Sequence, residues 1–66
     1  MNTIRAHADS VFLLIREWQR GAMTWGECLR RCDVTALGAD KLERITSTTS
    51  DVVVARLAYE AVLAGN

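Results

Sequence analysis

The chain has 66 residues, of which half are hydrophobic, so we expect one small domain spanning residues 1–66 and not a disordered chain. Eight Lys and Arg residues balance eight Asp and Glu residues, and this zero net charge argues against a dedicated nucleic-acid binder, which usually carries a basic excess. The chain has no proline and only four glycines, which favours helices over a many-turned β fold.

The first predicted element is a long helix over residues 3–20. Its apolar side chains recur at helical spacing and share one stripe. The members of this stripe are Ile4, His7, Val11, Leu14, Ile15 and Trp18. Leu13 falls on the opposite, polar side, between Asp9 and the pair Arg16 and Arg20. The pattern therefore predicts an amphipathic helix with one leucine among its charged residues.

A short second helix is predicted at about residues 25–32, after a capping box formed by Thr24 and Glu27. Its apolar side carries Cys28 and Cys32, and Cβ atoms at this spacing lie about 6 Å apart on a helix. A disulfide needs about 3.5–4.5 Å between Cβ atoms. A zinc site needs four ligands, whereas the chain holds a single histidine. We therefore expect two buried, reduced thiols.

A third helix is predicted at about residues 36–46, and its start is open between a cap at Asp33, a cap at Thr35 and a start after Gly38. Residues 25–46 also fit a helix-turn-helix motif. The residues that its second helix would present are Asp40, Lys41, Glu43, Arg44 and Thr46. Their charges cancel, so a small dimeric helix-turn-helix regulator that binds DNA is kept as the alternative function.

The last predicted helix runs from about residue 49 to 64, after a second capping box formed by Thr48 and Asp51. The residues predicted to face inward are Val53, Val54, Leu57, Ala58 and Ala61. Those predicted on the outer side are Val52, Arg56 and Leu63. A helix that is apolar nearly all round is either central in a bundle or partly covered by a partner. The four helices, in the order long, short, short, long, predict an all-α, compact bundle.

Neither catalysis nor a cofactor is predicted. The sequence has no glycine-rich phosphate loop and no carboxylate pair placed for acid–base work. His7 is expected at the edge of the core, bonded to a backbone carbonyl. The start of the chain lacks a signal-peptide pattern, and the longest bulky apolar run, VFLLI, is too short to span a bilayer. We therefore expect a cytoplasmic protein without enzymatic activity, metal or membrane contact.

Seven of the eight cationic residues are arginine, which is enriched at interfaces because its guanidinium bonds bidentately and is weakly hydrated. A leucine ringed by arginines is typical of an interface anchor with a charged rim. The residues predicted to bind a protein partner are Leu13, Arg16, Arg20, Arg30, Arg31, Arg56 and Leu63. The apolar last helix, with its alanines, adds a second copy of the chain as a candidate partner.

This profile resembles small phage or mobile-element accessory proteins, including anti-CRISPR inhibitors. The resemblance is one of type: a short chain, no catalytic motif, an arginine-rich rim and apolar helices. It implies stoichiometric binding, in the cytoplasm of a bacterial host, to a CRISPR effector complex or its nuclease. Occlusion would then block guide–target pairing, PAM reading or nuclease recruitment. Many such inhibitors mimic DNA with acidic surfaces; since this chain has no net charge, we expect shape and specific pairs to matter more.

Overall fold

The computed structural model describes residues 3–65 and folds them into four α-helices. These are α1 (Thr3–Gln19), α2 (Trp25–Cys32), α3 (Ala36–Thr48) and α4 (Val52–Gly65). The predicted all-α bundle is confirmed, and no strand occurs within the described residues. Only α2 is short, since α3 has 13 residues. The predicted domain also includes Met1, Asn2 and Asn66, which lie outside the described residues.

The predicted cap of α2 is confirmed. Thr24 has an extended backbone, and its side chain accepts a hydrogen bond from the Glu27 N–H at 3.2 Å. The Glu27 carboxylate pairs instead with Arg30 and Arg31 on the next turn. Of the two hydrogen bonds of a capping box, the structure therefore has the one accepted by the Thr24 hydroxyl. Asp33 ends the helix in the left-handed conformation, with φ at 55°.

Thr35 caps α3, which decides between the three predicted starts. Its hydroxyl accepts from the Gly38 N–H at 3.1 Å. Gly38 is therefore inside the helix, where it is buried. A Cβ added to Gly38 would lie 3.4 Å from the Thr35 hydroxyl oxygen, which is an ordinary van der Waals contact, so the cap does not require a glycine at this position.

The end of α3 lies two residues beyond the predicted end at residue 46, at Thr48. A run of Thr and Ser side chains predicted a loop here. Instead, the hydroxyls of Thr46, Ser47 and Thr48 each donate to the carbonyl oxygen four residues earlier, at 2.8–2.9 Å. Each hydroxyl thus shares the carbonyl that the helical N–H group also uses, so these polar side chains are satisfied without ending the helix.

The start of α4 differs from the prediction. Thr48 does not cap this helix, because it is the last residue of α3. The cap is Asp51, whose Oδ1 accepts from the N–H groups of Val53 at 2.9 Å and Val54 at 3.0 Å. The predicted Thr48–Asp51 capping box is therefore wrong, and α4 begins at Val52 and not near residue 49.

All four helices contribute to one core. Its buried hydrophobic members are Val11, Ile15, Cys28, Cys32, Leu42, Ala55 and Tyr59. α1 packs on α2 and on α4, and α3 packs on α4. The Trp18 ring packs against the Trp25 ring, with 4.6 Å between the ring centroids, and this contact links α1 to the start of α2. The predicted stripe of α1 is confirmed at its centre, whereas Ile4 is 39% exposed.

α4 buries a different face from the one predicted. Val53, Val54 and Leu57, predicted to face inward, are 68%, 53% and 58% exposed. Leu63, predicted on the outer side, is half-buried and packs against the core. The residues that α4 buries are Ala55 and Tyr59. Because this helix is apolar nearly all round, the distribution of apolar residues does not determine which side faces the core.

Polar contacts set the rotation of α4. The Thr46 hydroxyl donates to a carbonyl in its own helix, so the Tyr59 hydroxyl donates to Thr46 Oγ1, at 2.7 Å. On the other side of α4, Arg56 reaches Asp9 and Glu60 reaches Arg5, both on α1. These pairs hold α4 antiparallel to α1 and leave Val52, Val53 and Val54 exposed.

Candidate protein-binding surface

Three of the predicted partner-binding residues lie together at the C-terminal half of α1 and just after it. Leu13 and Arg16 are on the outer side of α1, Arg20 directly follows its last residue, and we call these three residues the arginine face. Leu13 is 63% exposed, which confirms its predicted position among the charged residues. These three side chains line one shallow depression of about 360 Å³, together with Glu17 and Gln19.

Arg16 is the cation of this face that is open to a new carboxylate. Its guanidinium carbon lies 5.8 Å from the centre of the Phe12 ring, in cation–π contact. Within residues 3–65 no Asp or Glu side chain pairs with it. Arg20, by contrast, bonds the Glu17 carboxylate at 3.0 Å. The arrangement offers a partner one guanidinium beside one exposed leucine.

The arginine face continues onto α4. A groove of about 290 Å³ lies between the two helices, and it is lined by Asp9, Phe12, Val52, Val53 and Arg56. A second depression, of about 220 Å³, contains Arg16, Phe12 and Val52, and it adds hydroxyls from the α3–α4 connection. Since these hollows share residues, they form one continuous surface with apolar and polar parts.

Phe12 and Val53 were not among the residues predicted to bind a partner. Phe12 lies between the apolar and polar sides of α1, and Val53 was predicted to face inward. Their contribution depends on how α4 is turned against α1. To place Phe12 and Val53 in this surface, the rotation of α4 about its own axis must be known. No local sequence pattern determines that rotation.

Arg56, another predicted partner-binding residue, ties α1 to α4. Its guanidinium donates to Asp9 Oδ1 at 2.8 Å, to Glu60 Oε2 at 2.8 Å and to the Arg5 carbonyl at 3.2 Å. The hydrogen bond to Asp9 raises the pKa of Arg56. Its side chain is 20% exposed at the edge of the groove, so these contacts explain its position without a partner.

Arg30 and Arg31 lie apart from the arginine face, on the last turn of α2. Both side chains are exposed and both pair with the Glu27 carboxylate. Neither lines the hollows that contain Arg16. The structure therefore brings together three of the seven predicted residues and distributes the other four over α2 and α4.

Leu63 belongs to a different part of the molecule. With Val62 it forms one wall of a small pocket of about 170 Å³ near His7 and Gly38. Because Leu63 also packs against the core, its predicted place on the outer surface of α4 is wrong. Its side chain is better placed to stabilise the bundle than to reach a partner.

The cysteines are buried and reduced, as predicted. Cys28 is 0% exposed and Cys32 is 1% exposed, and their sulfur atoms lie 3.9 Å apart without a disulfide. Burial raises the pKa of both thiols, that of Cys32 to about 12. Such thiols are poor nucleophiles and poor metal ligands. Within residues 3–65 no three His, Cys, Asp or Glu side chains converge on a metal position.

His7 occupies the predicted place at the edge of the core. Its Nε2 lies 2.6 Å from the carbonyl oxygen of Cys32 on α2. The Nε2–H donates this bond, which satisfies one of the carbonyls that a helix leaves free at its C-terminus. The predicted bond to a backbone carbonyl is confirmed, and it connects α1 to the end of α2.

The helix-turn-helix segment has exposed charges of both signs. Lys41 and Arg44 are exposed on α3, as are Asp40 and Glu43. Thr46 is instead turned inward to Tyr59, so it is not presented with them as predicted. The exposed side of α3 therefore has no excess of positive charge.

Comparison with protein-family models, with curated proteins and with solved structures found no match to this chain. No helix within residues 3–65 combines the length and the apolar content that crossing a bilayer requires.

Proposed function

We propose that this chain is a small protein-binding inhibitor that acts by stoichiometric contact and not by catalysis. The observation that carries the proposal is the arginine face, where Leu13 is 63% exposed beside Arg16, whose guanidinium has no carboxylate partner within residues 3–65. Exposed apolar anchors with a charged rim are typical of protein interfaces.

The chemistry of this surface supports one kind of partner. Arg16 can bind a carboxylate bidentately, and Leu13 and Val52 can contact an apolar side chain next to it. We therefore propose a partner surface with an acidic residue beside an apolar one. The neutral net charge of the chain fits a local match of this kind better than a broad electrostatic field.

The specific proposal is an anti-CRISPR inhibitor in the cytoplasm of a bacterial host. Its support is the resemblance in type to small phage accessory proteins, together with an exposed surface suited to occlusion. The bound partner would be a CRISPR effector complex or its nuclease. Contact with that partner would block its use of the guide or the target.

A helix-turn-helix regulator is the second proposal, supported by the three-residue turn between α2 and α3 and by the exposed Lys41 and Arg44. The balancing Asp40 and Glu43 weigh against it, because DNA binding depends on cations that neutralise phosphates. Arg44 thus becomes a useful control, since it matters only in the second proposal.

Two variants separate these proposals. R16E and R44E make the same charge change on exposed arginines of α1 and α3. We expect R16E to weaken the affinity for purified CRISPR effector complexes by about tenfold or more, because a carboxylate would then oppose the partner's carboxylate. R44E should stay within about twofold of the original chain.

The measurement is biolayer interferometry against a panel of effector complexes, with circular dichroism to check that both variants fold. Binding that is lost in R44E and kept in R16E would contradict the arginine face as the site. A panel without any binder would remove the anti-CRISPR proposal.

A further inference from the structure

The outward side of α4 carries apolar side chains only. Three of them are large and well exposed: Val53 at 68%, Val54 at 53% and Leu57 at 58%. Two exposed alanines continue the same side toward the C-terminus. We call this surface the α4 stripe, and it consists of Val53, Val54, Leu57, Ala61 and Ala64. An exposed apolar surface of this kind marks an interaction site.

The charged residues of α4 border the α4 stripe on the side next to α1, and none of them belongs to it. The helix has two of them, Arg56 and Glu60, which bond each other at 2.8 Å. Both also reach α1, where Arg56 bonds Asp9 and Glu60 lies 4.0 Å from Arg5. The stripe therefore offers no ionic pair to a charged partner. It also offers no like charges to repel a second copy of itself.

This composition favours a second copy over a different protein. Interfaces between different proteins are on the whole about as polar as the rest of the surface, whereas homodimer interfaces are more apolar. In a twofold dimer the same patch meets itself, so a face without charge is self-compatible. The α4 stripe meets that condition along the whole helix.

The shape of the α4 stripe is also self-complementary. Its large side chains lie in the N-terminal half and its alanines lie in the C-terminal half. When two copies of α4 pack antiparallel, the large half of each meets the small half of the other. Leu57 then lies opposite Ala61 of the second copy, and Val54 lies opposite Ala64. Such size alternation lets the two helices interdigitate at close approach.

We propose that the chain forms a homodimer in which the two α4 stripes pack antiparallel about a twofold axis between Leu57 and Ala61. α4 has 14 residues, which corresponds to a length of about 21 Å. An interface made by one short helix from each copy falls below the standard size of about 1,600 Å². The dimer is therefore a reversible one. This proposal does not depend on the arginine face.

Sedimentation equilibrium over a concentration series tests the dimer. The original chain should pass from 7.3 kDa toward twice that mass as concentration rises. L57E should raise the dissociation constant by about tenfold or more, because each copy would bury an unpaired carboxylate. The matched control is L37E, since Leu37 lies on α3 and is 60% exposed against 58% for Leu57.

The antiparallel arrangement has its own test. The dimer of the A61K variant should also dissociate, because this substitution places a cation in the apolar interface. An equimolar mixture of L57E and A61K should form a mixed dimer, since the new Glu and Lys side chains would lie opposite each other. Circular dichroism of each variant alone verifies that its helices are intact.

Three results would overturn the proposal. The original chain could remain at 7.3 kDa at the highest concentration reached, which would exclude a second copy as the occupant. L37E could dissociate as much as L57E, which would place the contact elsewhere. The mixture of L57E and A61K could remain monomeric, which would exclude the antiparallel pairing.

Discussion

At the scale of single residues, burial determines the chemistry of the two cysteines. Their sulfur atoms lie 3.9 Å apart in the core, next to the Tyr59 ring in the same cluster. Burial disfavours a thiolate there, which raises the pKa of Cys32 to about 12. The same spacing on an exposed helix would leave both thiols able to react. Cys28 and Cys32 therefore act as small apolar side chains.

The raised thiol pKa predicts a loss of stability at alkaline pH. In the unfolded chain the thiol of Cys32 ionises near its ordinary value of 9.0, whereas in the folded chain it stays protonated up to about 12. The contribution of the Cys32 thiol to the free energy of unfolding is therefore complete below about pH 8 and is lost progressively between about pH 9 and 12. Urea unfolding under reducing conditions, monitored by circular dichroism at several pH values across this range, measures the slope of the unfolding free energy against pH.

The C32S variant is the control for this alkaline loss. Serine has no proton to lose in this range, so the slope of the unfolding free energy against pH should decrease. Cys28 and Tyr59, whose pKa values are also raised by burial, keep part of the slope. An unchanged slope in C32S would show that Cys32 does not contribute.

At the scale of helices, the caps decide where each element begins. Thr24 and Thr35 each accept from the N–H three residues later, and Asp51 accepts from Val53 and Val54. Thr48, which also fits the sequence pattern of a cap, bonds backward to the Arg44 carbonyl and remains in α3. Two candidates that are three residues apart therefore have different roles: Thr48 is the last residue of α3 and Asp51 caps α4.

Alanine substitutions distinguish these two roles. D51A should lower the free energy of unfolding by about 1 kcal/mol, because it removes the acceptor for two free N–H groups of α4. T48A should cost no stability, because alanine is the better helix former and the lost hydroxyl bond is within the helix. Urea unfolding of both variants measures the difference. Equal losses would favour the capping box predicted from the sequence.

Features set by local contacts could be predicted from the sequence, and features set by contacts between distant residues could not. α1 and α2 were predictable because periodicity and a local cap define them. The face of α4 was not, because its rotation depends on the bond between Arg56 and Asp9, which are 47 residues apart. Leu13 was predictable as an exposed residue of the candidate site. The groove beside it was not, since Phe12 and Val52 meet only after α4 has been oriented.

At the scale of the whole molecule, the two proposals depend on two exposed surfaces within residues 3–65. The arginine face of α1 combines Leu13 with charge, whereas the α4 stripe is purely apolar. Phe12 and Val52 lie between them, because each lines both the hollow that contains Arg16 and the groove that contains Val53. A dimer through the α4 stripe would display two copies of the arginine face, and so would allow bivalent contact with a symmetric partner.

The central claim is that the arginine face binds a protein. The most direct measurement is capture from bacterial lysate, with and without nuclease, read by mass spectrometry. The original chain and the L13E variant serve as baits, because Leu13 is exposed and its replacement leaves the core intact. We predict a discrete protein partner that survives nuclease and is lost with L13E. Capture that disappears with nuclease, or that is the same for both baits, would contradict the claim.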